Sequence, residues 1–479
     1  MSIPLHPATI VLALAALSVA GCATQSAAPP VSPPAAGGEA APLRVLVVDD
    51  APLAQAIGRE WKSRTETSLA IQNIDLARLL SAKRLPADVV VFPAGQVGEL
   101  AERGLIEPLP ETTLDRPDFD RRDIFPLVRL RGIVWGERTC AVPLGMPQLL
   151  LAYRADLLEK AGLAPPRTWA EFAKVAAALA DRSTLGELAP PEGEPWQAAI
   201  APLAPGWAGQ SLLARAAAAA THRDQLSPLF HYETLEPLVA GPPFVRALEE
   251  VVAANQGELA KRRLTPAEAL DELSRGHAAL ALTWLPARPA SGATLGHALR
   301  FAPLPGSDDC YNAASQAWEN RAADEPARVP LLAVAGRLAA VTTSAASPTE
   351  AHNFVLWLAG PRVSLAIAPH SAWTAPVRQS HLSDGGQWAS QVEAASFQSY
   401  GEALAESAAL PRPLTLALPG RQRYLAALDV AVEQALAAEK SPAEGLAAAA
   451  EKWREITADI GVAKQKQALR RELGIEPLP

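Results

Sequence analysis

Few residues of this chain are arranged for bond-making chemistry. The eight histidines are scattered, with no pair at the helical spacing of metal ligands and no pair of cysteines beside them. A G-x-S-x-G elbow, a phosphate-cradling glycine loop and a dinucleotide fingerprint are all missing. The adjacent carboxylates Asp49-Asp50 and Asp308-Asp309 would point to different sides of a strand and read most simply as turn residues. No catalytic residue, metal site or cofactor is therefore expected. What the chain does offer is non-covalent. Trp207, between Pro205-Gly206 and Gly209, has neither a helical nor a strand period to bury it and reads as exposed. An indole plane of this kind stacks on a ligand face of polarised C–H groups, leaving rim hydroxyls to neighbouring polar residues.

The elements that would position such residues begin at Leu43 to Val48 (LRVLVV), a continuous apolar strand. An Asp49-Asp50-Ala51-Pro52 turn leads from it into a helix expected from Leu53 to about Arg64. A buried strand running into a helix is an α/β signature, and loops at the carboxyl ends of such strands collect ligands. Asp49 and Asp50 therefore face the expected cleft, or else cap the helix. Further strands are expected over Ser68 to Asn73 and Ala87 to Pro93, with helices over Leu76 to Ala82 and Val97 to Arg103, the last closed by Gly104. The charged, Pro-punctuated stretch Glu111 to Arg131 reads as an excursion over the surface, and Gly132 to Cys140 as a strand or hairpin.

The most informative stretch is Ala141 to Phe172, AVPLGMPQLLLAYRADLLEKAGLAPPRTWAEF. A Pro-broken turn precedes the strand Leu149 to Tyr153; the short helix DLLEKAG ends at Gly162. After Pro165-Pro166, Thr168 and Glu171 have the spacing of a capping box, opening a helix that runs to about Arg182. The sequence Y-R-x-D-L-L-x-x-A-G, the double proline and T-W-x-E-F resemble the first crossover of family 1 extracellular solute-binding proteins, the substrate receptors of ABC importers. In that family this segment carries the chain into the second lobe and walls the ligand cleft, a role that would fall here to Gly145 and Gln148.

The resemblance extends over roughly residues 43 to 470. A-D-V-V-V-F resembles the family's third strand, whose following loop touches solute, here including Pro93 and Gly95. HAALALTW (277–284) resembles the strand that ends in a solute-stacking tryptophan, here Trp284, and SAWTAPVR (371–378) a loop beside the ligand, carrying Trp373. RFAPLP (300–305) and LLAVAGRLAAVT (331–342) resemble later strands, and S-P-A-E-G-L at 441–446, again a capping box, the closing motif. Helices are expected over Ser211 to Ala220, Phe244 to Asn255, from a capped start at Thr265, over Ser347 to Leu358 capped by Ser347, over Phe397 to Ala409 and Gly420 to Glu439, and as one helix from Pro442 to Leu469. Trp357 lies on an apolar stripe and belongs to the core. The segment 307–329 has no assigned place.

At 479 residues, 49% of them apolar, the chain can bury a large core and should form more than one domain. A formal charge of -8 without a basic cluster excludes nucleic acid as a partner. ATIVLALAALSVA (8–20) is too short to span a membrane and runs into Val19-Ala20-Gly21-Cys22, which resembles a bacterial lipobox, although no Lys or Arg precedes Arg44. Cleavage there would leave a lipidated Cys22 on a Pro/Ala-rich tether, anchoring an exported domain to the cell membrane or outer membrane. Cys140 and Cys310 would then remain, as two buried thiols or a disulfide.

The resemblance implies an α/β, two-lobe, type II periplasmic-binding-protein-like fold, with strand crossovers and a helical C-terminal segment. Residues 1–21 would be the signal peptide and 22–42 the lipidated linker. Lobe 1 would be 43–146 plus 330–378, and lobe 2 147–329 plus 379–479. The lobes would close on a small solute, most readily a sugar or oligosaccharide, for delivery to ABC permease subunits. A secreted carbohydrate-active enzyme, and a sensor lipoprotein without a transport role, remain the alternatives.

Overall fold

The structure, a computed structural model, describes residues 41–65, 68–286, 298–383, 388 and 392–478. The leader and Cys22 lie outside these residues. Among the described residues no helix is long and apolar enough to cross a membrane.

Two separate sheets organise the chain. The first takes β1 (Arg44–Val48), β2 (Ala70–Ile74), β3 (Val89–Pro93), β6 (Val142–Gly145) and β13 (Arg337–Val341), in the order β2-β1-β3-β13-β6. Its first three strands are parallel, and β13 returns antiparallel between β3 and β6. The Val-rich runs of β1 and β3 are buried on both faces, as interior parallel strands require. Pro143 falls on the edge strand β6, where a missing N–H costs no ladder bond. Between β3 and β6 the hairpin β4 (Val134–Trp135) and β5 (Arg138–Thr139) forms as expected.

The second sheet takes β7 (Leu150–Arg154), β8 (Gln197–Ile200), β9 (Ala278–Thr283) and β10 (Leu299–Ala302), in the order β10-β7-β9-β8. Here β7 lies antiparallel to both neighbours, while β8 and β9 are parallel. The central β9, AALALT, is buried along its whole length. The segment 307–329 contains a small hairpin, β11 (Asp309–Asn312) and β12 (Ala317–Asn320).

The longer helices are α1 (Ala51–Lys62), α2 (Leu76–Ser81), α3 (Val97–Glu102), α4 (Trp169–Ala178), α5 (Ala208–Ala220), α6 (Pro242–Ala254), α7 (Pro266–Ser274), α8 (Pro348–Ala359), α9 (Ala394–Ala408), α10 (Arg421–Leu436), α11 (Pro442–Ile460) and α12 (Val462–Glu472). α1 and α8 cover the first sheet, where Trp61 meets Phe354 and Trp357 edge-on at 5.3 and 5.0 Å. α7 and α9 pack on the second sheet, and α10 pairs with α5 and α11. The capping boxes at Thr168, Thr265 and Ser441 all form, each the equivalent of about 1 kcal/mol.

Four expectations are corrected. Residues 111–131 are not a surface excursion: Leu114, Phe119 and the run Ile124, Phe125, Leu127 and Val128 are buried between flanking charges that suggest a solvated loop. Ser347 stands at the start of α8, but its side chain makes no capping bond. The C-terminal helix is two, broken at Gly461 with φ +105°, a backbone conformation that side chains rarely adopt. Within 331–342 only Arg337–Val341 is strand, because Ala333 at φ +57° and Gly336 at φ +131° turn the backbone away from it. Strand β8 had no expected counterpart. Cys140 and Cys310 are free thiols, both buried.

Candidate functional site

The site is built where elements of the two sheets meet. On the first sheet, β1 ends in Asp49, whose φ of +47° turns the chain sharply into α1. The exposed Asp49 carboxylate accepts the backbone N–H of Leu76 at 3.0 Å, at the start of α2. The next residue, Asp50, is buried and caps α1, accepting from Leu53 N at 3.3 Å. Its other oxygen accepts from Arg337 Nε at 3.0 Å and from the Ser371 hydroxyl. Arg337 also donates to the Asp49 carbonyl at 3.2 Å. Burial pushes the Arg337 guanidinium below its ordinary range, and the Asp50 charge pulls it back up. Such a pair stands only while both members remain, because either alone is an uncompensated buried charge.

Arg337 is where the first sheet reaches the aromatic seam. Its guanidinium carbon lies 5.6 Å from the Trp373 ring centre, and the backbone N–H of Trp373 donates to Ser371 Oγ at 3.1 Å. Trp373 in turn faces Trp207, nearly parallel at 8° with centroids 6.1 Å apart, and Trp207 meets Trp284 at 5.4 Å. Trp207 stands at the start of α5 and Trp284 just beyond β9, whereas Trp373 follows the helices that cover the first sheet. The exposed position expected for Trp207 is corrected: it is 9% exposed and Trp284 5%, while Trp373 keeps 37% of its surface. The cause is the turn before α5. There the Asp429 carboxylate accepts from Gly206 N at 2.8 Å and Gly209 N at 2.7 Å, fixing the backbone on both sides of the buried indole.

The crossover approaches the Trp373 loop closely at Gly145. A side chain at Gly145 would place its Cβ 2.4 Å from Thr374 Cβ, so the close approach of this strand end to the Trp373 loop needs glycine. Gln148 is buried, and neither end of its amide has a hydrogen-bond partner among the described residues. Pro93 sits opposite Arg337 in the β3–β13 register. Two residues on, a Cβ at Gly95 would fall 2.4 Å from Arg421 Nε. Arg421 opens α10 and donates to Gln210 Oε1 at 3.2 Å and to the Ala333 carbonyl at 2.9 Å. Burial pushes its guanidinium down to about 10.

Of the residues singled out from sequence, Trp207, Trp284 and Trp373 converge, Asp50 joins them through Arg337, and Gly145 and Gly95 provide close approaches. Asp49 turns its carboxylate to α2 instead. Sequence reasoning missed Arg337, Ser371, Gln210 and Arg421. Arg337 had a signal, a lone charge inside an apolar strand, which must find a partner when buried. Arg421 had another: a cation at a helix start, where the macrodipole disfavours it.

The arrangement of two sheets joined by crossovers has counterparts among known proteins. The model of the bacterial extracellular solute-binding protein family matches residues 70–363. The chain belongs to this family. Among solved solute-binding proteins, one from an ABC transporter of Agrobacterium radiobacter, in complex with ribitol, is 18% identical, with a TM-score of 0.62. The match covers 86% of this chain and 98% of that one. The sugar-binding protein MalE of Xanthomonas citri is 19% identical with a TM-score of 0.62, over 88% and 99% of the two chains. A cyclo/maltodextrin-binding protein complexed with maltotetraose is 15% identical with a TM-score of 0.56, over 88% and 99%. At these identities the likeness is one of fold, and the fold of this solute-binding protein is the two-lobe α/β fold of those structures.

Proposed function

We propose that this solute-binding protein captures a small polyhydroxylated solute, a sugar, polyol or oligosaccharide, between two closing lobes and delivers it to an ABC permease. The observation that carries this reading is the meeting of Trp373 with Trp207 and Trp284, which brings aromatic planes from both sheets into one seam. Lobe 1 is taken as 43–146 plus 330–378 and lobe 2 as 147–329 plus 379–479. Separation of the lobes would part Trp207 from Trp373 and admit a ring between them, and closure would exchange water for indole on its C–H face. Gln148, with an unsatisfied amide, is suited to hydroxyl groups at the ring's edge. The ligands named in similar solved structures, among them ribitol and maltotetraose, are of this chemical class. Anchoring through a lipidated Cys22 would hold the protein at the membrane where a permease works.

The test is intrinsic tryptophan fluorescence with parallel thermal shift on the full chain in mild detergent, against sugars, polyols and oligosaccharides. A saturable spectral change with a raised melting temperature is expected for at least one class. A panel that moves neither signal overturns the reading.

A further inference from the structure

A groove of about 860 Å³ runs between α3 and the C-terminal helices α10 and α12, and Gln96 and Arg421 lie on its wall. Five cationic side chains line it, Arg103, Arg421, Arg423, Lys464 and Arg471, against the two carboxylates Glu99 and Glu102. Most of this charge is used within the protein. Arg471 holds Glu102 at 2.8 and 3.0 Å. Arg423 pairs with Asp459 at 2.5 Å, and Arg103 donates to the Leu80 carbonyl at 2.7 Å with Glu99 at 3.4 Å. Glu99 also accepts from Gly420 N at 2.9 Å.

Two cations remain. Lys464 is exposed and makes no ion pair among the described residues. Arg421 is buried, hydrogen-bonded only to neutral groups, and its Nε has no partner among the described residues. Glu472, whose charge acts on Arg421, accepts from Thr415 and Ala417 N instead, and burial raises its pKa, which weakens it as a counter-ion. A buried guanidinium without a carboxylate in contact is costly to the fold. Arg421 also communicates with the aromatic seam. The Gln210 amide that accepts from it donates at 2.9 Å to the Gly206 carbonyl, immediately before Trp207.

We propose that the captured solute carries an acidic group, a carboxylate or phosphate, and that Arg421, with Lys464 at the groove, selects it. The inference rests on the trap reading and specifies its substrate class: a ring against the tryptophans with an anionic arm toward α10. A planar guanidinium suits carboxylate and phosphate alike. Arg421 is thus a specificity-determining residue.

The test compares matched ligands on the full chain by calorimetry: D-glucose with D-glucuronate and glucose 6-phosphate, and D-galactose with D-galacturonate. At least one acidic member is expected to bind about tenfold or more tightly than its neutral counterpart, with affinity falling as salt rises. The uronate and phosphate arms distinguish the two sources of charge. R421Q should lower the affinity of the acidic ligand more than that of the neutral one, closing the gap between them; if R421Q does not fold, K464A should narrow the same gap. Equal binding of both members, or binding of neutral sugars only, overturns this inference and leaves the trap reading standing. Failure of all these ligands, together with a silent panel of polyols and oligosaccharides, overturns both.

Discussion

Two buried arginines, Arg337 and Arg421, show what the fold uses up and what it leaves over. Arg337 faces Asp50 within the first sheet's end, and their contacts extend to Ser371 and the Asp49 carbonyl. Arg421 lies just as deep, but its partners are an amide and a carbonyl. Desolvation lowers the pKa of both guanidiniums, yet Asp50 answers it by direct contact only at Arg337. The difference separates a charge that maintains architecture from one whose electrostatic complement comes from elsewhere.

The largest expected effect is at the first of these. Asp50→Ala leaves Arg337 buried and unpaired and removes the α1 cap, and should destabilise the chain by about 3–5 kcal/mol in denaturant unfolding. Arg421→Met, which takes away an uncompensated charge and keeps the volume, should leave ligand-free stability within about 1 kcal/mol of wild type. Equal losses from the two variants would erase the contrast.

The same division applies to tryptophans. Trp357, packed against Trp61 and 1% exposed, should cost about 3–5 kcal/mol when changed to Ala, with solute affinity unchanged in whatever protein remains folded. Trp373→Ala should do the reverse, lowering affinity about tenfold while barely moving the melting temperature. If Trp373→Ala binds like wild type, the seam is packing and nothing more.

The smallest effect is a pH dependence on the committed side. Burial opposes ionisation of Asp88, but hydrogen bonds from Arg44 and from the backbone N–H of Ala346 outweigh it and hold the carboxyl below its ordinary range. A depressed carboxyl contributes stability that is complete above its unfolded pKa of about 3.9 and disappears as acid protonates the folded group. Asp88→Asn should therefore flatten the acid limb of a stability–pH curve and change little in its slope near neutrality. An unchanged acid limb would remove Asp88 from the committed set.

Much of this fold is legible from local pattern. The Val-rich runs at 44–48 and 89–93 and the capping signals at Thr168, Thr265 and Ser441 need only neighbouring residues to be read. Trp207 and Trp373 were also readable one at a time, as tryptophans outside periodic elements, and Trp284 as the end of an apolar strand. Their relation was not. Trp207 lies 166 residues from Trp373, and the Asp429 that clamps its turn is more than 200 residues further along the chain than that turn. Arg337–Asp50 and Arg421–Gln210 bridge 287 and 211 residues, distances over which periodicity carries no information. The buried anchors in 111–131 failed for a related reason, since a short apolar run broken by Pro126 and flanked by charges shows its burial only once the surface it docks on has formed.

The break at Gly461 has a mechanical consequence. Before it, α11 packs with α10 and α6; after it, α12 reaches the other side, where Arg471 holds Glu102 on α3 and the chain beyond pairs Leu478 with Gly136. The end of the polypeptide is therefore a tether fastened at both ends, with a single glycine joint in the middle. Were the lobes to part as proposed, the residues 462–478 beyond that joint would either turn with the swing or give up their contacts with Glu102 and Gly136.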